Sequence, residues 1–225
     1  MPFYVSPEQV MKDRADYARK GIARGRSLVA FSATDGIVVV AENPSRTLYK
    51  ISEIYDRIAF AGVGKYNEFE MLRIAGVRQA DIKGYSFARE DVNARALANA
   101  YAQTLGQVFT HEMKPYEVEI LVAQVGATQE DDELFHILYD GTVVDEQGFT
   151  VLGGEAERII EVTRDRYTAD LDHGGAVRLG AAVLSTDDTP LPAASLEVAF
   201  LDRSRTRRAF GRIRGDELTA ILEAS

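Results

Sequence analysis

Apolar positions along this chain keep two rhythms, and the rhythms come in blocks. Ser27 to Ala33 and Ile37 to Glu42 are nearly unbroken β-prone runs joined by Thr34-Asp35-Gly36, a hairpin signal. Leu48 to Ile51 and Arg57 to Val63 predict a second strand pair around the polar Ser52-Glu53 step, and Gly62-Val63-Gly64 ends it as a loop. The period then changes. Phe69, Leu72 and Ala75 recur at helical spacing, and Leu97, Ala100, Tyr101, Leu105, Val108 and Phe109 mark the broad face of a second helix, for which Asp91 is a suitable cap. Strand character returns at Val118 to Val125, Leu134 to Tyr139 and Phe149 to Leu152, interrupted by the acidic loop Gln129 to Glu133 and an Asp140-Gly141 turn. Gly153-Gly154 releases a helix from about Glu155 to Tyr167, and Asp172 caps another reaching about Ser185. Thr186 to Pro192 reads as a loop, because its prolines suit neither a helix interior nor a central strand. Ser195 to Leu201 and Arg208 to Ile213 predict closing strands before a short helix from Asp216 to Ala224.

A further helix opens the chain. Ser6 suits the N-cap, Pro7 the first helical position, Glu8 the positive helix end, and Gln9 a reciprocal capping box, so a helix is predicted from about Pro7 to Lys20. Its apolar residues Val10, Met11, Tyr17 and Ala18 are few among Lys12, Asp13, Arg14, Asp16 and Arg19; such a helix needs a neighbour. Blocks of strands followed by pairs of helices point to segregated layers. The expected class is α+β, a four-layer αββα sandwich of two antiparallel sheets between helix layers, formed by residues 1–225 as a single domain.

Composition narrows the function more by exclusion than by suggestion. A net charge of -9 disfavours nucleic acid as a partner, since affinity for it rests on phosphate neutralisation. Only the arginine-dense segment from Arg203 to Arg214 dissents, and it reads as a solvated or interface-facing strand pair. No apolar stretch approaches the roughly 20 residues of a membrane helix. Met1 to Val5 run straight into Glu8, Lys12, Asp13 and Arg14 without the apolar core of a secretory signal, so a cytoplasmic location is expected. With no cysteine there is neither a disulfide nor a thiolate. His111, His136 and His173 stand far apart, so no metal is expected, and no phosphate-binding loop announces a cofactor. Gly153-Gly154 before a helix suggests close packing instead of an anion site, because Glu155 and Glu157 would repel an anion.

Several stretches together carry a specific likeness. Ser6-Pro7-Glu8, Tyr17-Ala18-Arg19, Gly25, Ser27 to Glu42, Lys50, Arg57 to Gly64, Tyr101 to Gly106, Lys114 to Glu119, Tyr139-Asp140-Gly141, Gly153-Gly154 and Ala194 to Val198 resemble α-type proteasome subunits of the bacterial branch over nearly the whole chain. That resemblance implies an N-terminal nucleophile hydrolase fold. It also implies a role as the non-catalytic subunit of a threonine-type endopeptidase core. Catalytic siblings use an N-terminal threonine with an acidic residue and a lysine. Here Glu42 and Lys50 match the supporting pair, but Arg26 stands where the threonine would, and a guanidinium is no nucleophile.

The resemblance further implies partners and sites. Like α chains in a heptameric ring, β subunits beneath and an AAA ATPase ring above are expected, with unfolded or tagged proteins as substrates. Residues 6–24 would be the α-type helix, with Ser6, Pro7 and Tyr17 supporting ring and gate, and Met1, Pro2, Phe3, Tyr4 and Val5 would be the gating tail. Lys50 would bond the C-terminal carboxylate of a docked ATPase, with Gly62, Val63 and Gly64 giving backbone donors and room. The alternative is an active hydrolase freed by cleavage to begin at Ser27, which would discard the capped helix. A third reading, Pro2 as a catalytic secondary amine, has no other support in the sequence.

Overall fold

A computed structural model describes residues 6–186 and 191–224, and they build two antiparallel five-stranded sheets. The first holds β1 (Leu28–Ala33), β2 (Gly36–Glu42), β8 (Phe149–Leu152), β9 (Leu196–Asp202) and β10 (Phe210–Ile213), in the order β10-β9-β2-β1-β8. The second holds β3 (Ile51–Tyr55), β4 (Ile58–Gly64), β5 (Val118–Gln124), β6 (Glu133–Ile137) and β7 (Val143–Glu146), in chain order. Helices α2 (Tyr66–Ser86) and α3 (Ala94–His111) cover the second sheet, while α4 (Ala156–Arg166), α5 (His173–Leu184) and α6 (Gly215–Glu223) lie on the side of the first. This is the expected αββα sandwich, and α1 (Pro7–Ile22) lies outside its helix layers.

Strand geometry explains why the sheets read as apolar runs without alternation. Successive residues face opposite sides of a sheet, and here both sides are covered. Leu28 and Ala30 of β1, Ile37, Val39 and Ala41 of β2, and Leu121 and Ala123 of β5 therefore meet between the sheets. Val29, Phe31, Val38 and Val40 turn outward onto α4 and α5, while Ile120 and Val122 turn onto α2 and α3. Fully burying one such side chain is worth about 1.5–3 kcal/mol, so three clusters of this kind fix the register firmly.

The structure moves several predicted boundaries for local reasons. Leu48 and Tyr49 are exposed and precede the strand; β3 starts at Ile51 and passes through Ser52 and Glu53, polar residues that an edge strand tolerates. The inward face of α2 is Phe69, Leu72, Gly76 and Ala80, and Ala75 points to solvent. Asp91 ends a 3-10 turn and accepts from Ala88 N at 3.2 Å, leaving Asn93 to cap α3 by accepting from Ala96 N at 2.9 Å. Arg208 takes φ 50, a left-handed conformation that ends extended backbone, so β10 begins at Phe210. The predicted loop from Thr186 to Pro192 falls partly outside the described residues.

Candidate functional site

The opening helix forms for the reasons legible in its first turn. Ser6 Oγ accepts from Gln9 N at 3.2 Å with Pro7 as first helical residue, but the Gln9 side chain turns to Asp13 Oδ1 at 2.7 Å, so the reciprocal half of the capping box is not made. Only the last turns of α1 pack inward: Ala18 and Ile22 join the cluster between the sheets, whereas Val10, Met11 and Tyr17 stay exposed. A guanidinium supplies the missing attachment. Arg14 donates to Phe109 O at 2.7 Å and Glu112 O at 2.6 Å, carbonyls at the end of α3, and shares Val108 O, at 3.2 Å, with the capping N–H of Glu112. The Tyr17 ring lies 5.6 Å from the Lys114 ammonium, at the edge of the same anchorage.

The chain leaving α1 meets the strands at the Arg26 end of the sandwich. Arg26 pairs with Glu42 at the end of β2, and Lys50 Nζ donates to Arg26 O at 2.5 Å. Arg26, Glu42 and Lys50, matched separately along the sequence, are thus brought together as one cluster. Burial pushes the half-buried Lys50 amine down to about 8, with Arg26 adding to the fall and Glu42 and Glu197 resisting it. Ser27 is buried at the head of β1, and its carbonyl accepts from Glu42 N at 3.1 Å.

The glycines in this region are there for contact. Gly153, at φ 116, would place a Cβ 2.9 Å from Ser27 Cα, and a Cβ on Gly154 would lie 2.7 Å from Ala23 Cα. Their packing partner is the link between α1 and β1. Gly62-Val63-Gly64 is not a loop: all three residues lie in β4, paired with Ile120, Glu119 and Val118 of β5. Gly62 N already donates to Lys50 O at 3.0 Å, which removes it as a free donor, and Val63 is fully buried. Gly64, at φ 104, alone of the three adopts a left-handed backbone. Met1, Pro2, Phe3, Tyr4 and Val5 lie outside the described residues.

Sequence reading missed Glu197 and Arg212. Glu197, in β9, has a side chain only 7% exposed, and it accepts from Lys50 N at 2.8 Å, Ile51 N at 3.1 Å, Asn43 Nδ2 at 2.8 Å and Arg212 Nη1 at 2.7 Å. One signal was available: a glutamate inside the otherwise apolar Leu196 to Leu201 run, opposite a strand rich in arginine, asks for a buried partner. The arginine-dense segment is accordingly not uniform. Arg203 and Arg212 point inward to Asp132 and Glu197, while Arg205, Arg207 and Arg208 are exposed.

His136 is a strand residue within 3.4 Å of Glu119, and His173 pairs with Asp35. Among the described residues no group of His, Cys, Asp or Glu is arranged to hold a metal ion, and no helix is long and apolar enough to cross a membrane.

The comparisons with known proteins agree with this geometry. The family model described as proteasome subunit matches residues 22–187. The chain is 62% identical to the proteasome subunit alpha of Sanguibacter keddieii, over 99% of this chain and 89% of that protein. It is 59% identical to that of Acidimicrobium ferrooxidans, over 99% and 96% respectively. It is 56% identical to that of Thermobifida fusca, over 99% and 91%.

Proposed function

The chain belongs to the proteasome subunit family, as a non-catalytic α-type subunit that assembles with other proteasome subunits, and on that footing we propose that it controls access to the core and docks a regulatory ATPase. The observation that carries the reading is the occupied nucleophile position: Arg26 pairs with Glu42 while Lys50 reaches Arg26 O, leaving the supporting residues of a hydrolase without a reacting oxygen. With catalysis absent, the Lys50 ammonium, which gives one donor to Arg26 O, keeps its others for recognition. Lys50 bonds the C-terminal carboxylate of an ATPase subunit, a charge-assisted contact stronger than a neutral hydrogen bond. Gly62, Val63 and Gly64 are the strand beside Lys50, and the space freed at Gly64 is taken by Glu117 O of this chain.

The chain folds as one domain over residues 1–225 and forms a heptameric ring of like subunits above a β ring, in the cytoplasm. Exposed Val10, Met11 and Tyr17 on α1 favour a neighbour against that helix, the part played by the next subunit. The tail from Met1 to Val5, ahead of the capped helix at Ser6 and Pro7, narrows the axial pore through Phe3, Tyr4 and Val5, and unfolded or tagged proteins pass when an ATPase opens it. Lys50→Ala in the assembled core tests the docking: ring assembly persists and ATPase-stimulated protein degradation is lost. Undiminished stimulation by the cognate ATPase overturns it.

A further inference from the structure

Lys50 does not stand alone, and what holds it is unusual in kind. Three segments meet at one carboxylate: the link before β3, strand β9 and strand β10. Glu197 leaves the first sheet and takes the N–H groups of Lys50 and Ile51, which open the second sheet. Arg212 from β10 closes the far side, donating to Glu197 Oε1 at 2.7 Å and to Ile51 O at 2.5 Å. Asn43 completes the ring, donating to Glu197 Oε2 at 2.8 Å and to Leu48 O at 2.7 Å. The Tyr49 ring, next to the lysine, lies under Arg212 at 4.4 Å and Arg214 at 5.2 Å.

We propose that Glu197, held by Arg212, is the positioning residue of Lys50: it fixes where the backbone presents that amine and keeps a carboxylate beside it. The proposal rests on the reading of Lys50 as the docking residue. It also gives Arg212 a task that neither net charge nor solvation explains. A carboxylate that only tied the sheets together would be served by any hydrogen-bond acceptor. This one contributes a negative field at a half-buried amine, where few other charges act: Glu42 from β2, Arg26 from the link before β1, and Glu197 itself. Tyr66, at the start of α2, also feels the Glu197 charge. Arg212, on the far side of the carboxylate, donates to Glu197 Oε1 and so holds that charge in place.

Removing the Glu197 charge without its shape supplies the test. In the assembled core, Lys50 is acetylated by a trace of acetic anhydride across a pH series, and its modification is followed by peptide mass spectrometry. Glu197→Gln keeps the shape and removes the charge; the midpoint for Lys50 falls by roughly half a pH unit or more. Glu197→Asp keeps the charge, and the midpoint stays closer to that of the unaltered chain. A purely structural tie predicts the opposite shift in Glu197→Gln, since loosening the link exposes the lysine and lifts its midpoint. An unchanged or raised midpoint in Glu197→Gln overturns the proposal. The docking reading is judged separately, by protection of wild-type Lys50 from acetylation when the cognate ATPase is added. Absence of protection removes that reading while leaving the midpoint shift in Glu197→Gln to be decided on its own.

Discussion

The two ends of the sandwich use one chemistry for opposite purposes. At the Gly36 end of β2, Arg203 binds both oxygens of Asp132, at 2.7 and 2.9 Å, and adds Ala33 O, Thr128 O and Gly126 O. Ser32 Oγ and Gly126 N take the remaining valence of the carboxylate, and the Asp132 side chain is 2% exposed. Nothing there is left for a partner. At the Glu42 end, Arg212 and Glu197 make a somewhat less buried pair, but their hydrogen bonds run to the backbone of Lys50 and Ile51, and the Lys50 ammonium spends one of its three donors on Arg26 O. A closed network holds two sheets together, and an open one presents a charge.

That contrast can be broken in order of size. Asp132→Ala strands the Arg203 guanidinium among carbonyls, and removing one partner of a buried pair costs about 3–5 kcal/mol. The urea midpoint of the isolated chain should fall accordingly, while the affinity of assembled cores for the ATPase stays unchanged. Lys50→Ala reverses the pattern. Docking weakens by about 1.5–3 kcal/mol, the worth of a charge-assisted hydrogen bond, with little change in the urea midpoint; binding measured by interferometry checks it.

Arg14→Ala addresses the helix that lies beside the open end. Loss of its bonds to the end of α3 should loosen α1 by about 1–2 kcal/mol, read as faster amide exchange confined to residues 7–22. The smallest expected effect is that of pH. Burial holds the Lys50 amine down to about 8, and only its cation grips a carboxylate, so docking should weaken about tenfold between pH 7 and 9. For stability the sign is opposite. A lysine whose folded value lies below its ordinary 10.5 disfavours the charged form on folding, so its contribution improves as pH rises from about 8 to 10.5 and is lost again on return to neutrality.

Much of the architecture was legible because patterns with one physical meaning dominate it. The β1 and β2 runs with Asp35-Gly36 between them, and the Asp172 cap of α5, required only local reasoning. The failures also have local causes. The inner face of α2 is built partly from Gly76 and Ala80, which carry almost no periodic signal, and Gly76 is there because a Cβ would strike the Tyr101 hydroxyl. Strand β7, the edge strand from Val143 to Glu146, has no buried residue to mark it. Within the site, Arg26, Glu42 and Lys50 were reached through a family likeness. Glu197 and Arg212 escaped because a buried ion pair between residues on two different strands leaves no periodic mark in either; its partners meet only after folding.

The account turns on Arg26 as an occupied nucleophile position with α1 kept in place ahead of it. Intact-mass measurement of the chain from assembled cores, joined to a peptidase assay of the chain purified without β partners, tests this most directly. The account predicts that the residues preceding Arg26 remain attached and that the chain alone cleaves no peptide. A chain beginning at Ser27 that hydrolyses peptides unaided would contradict it.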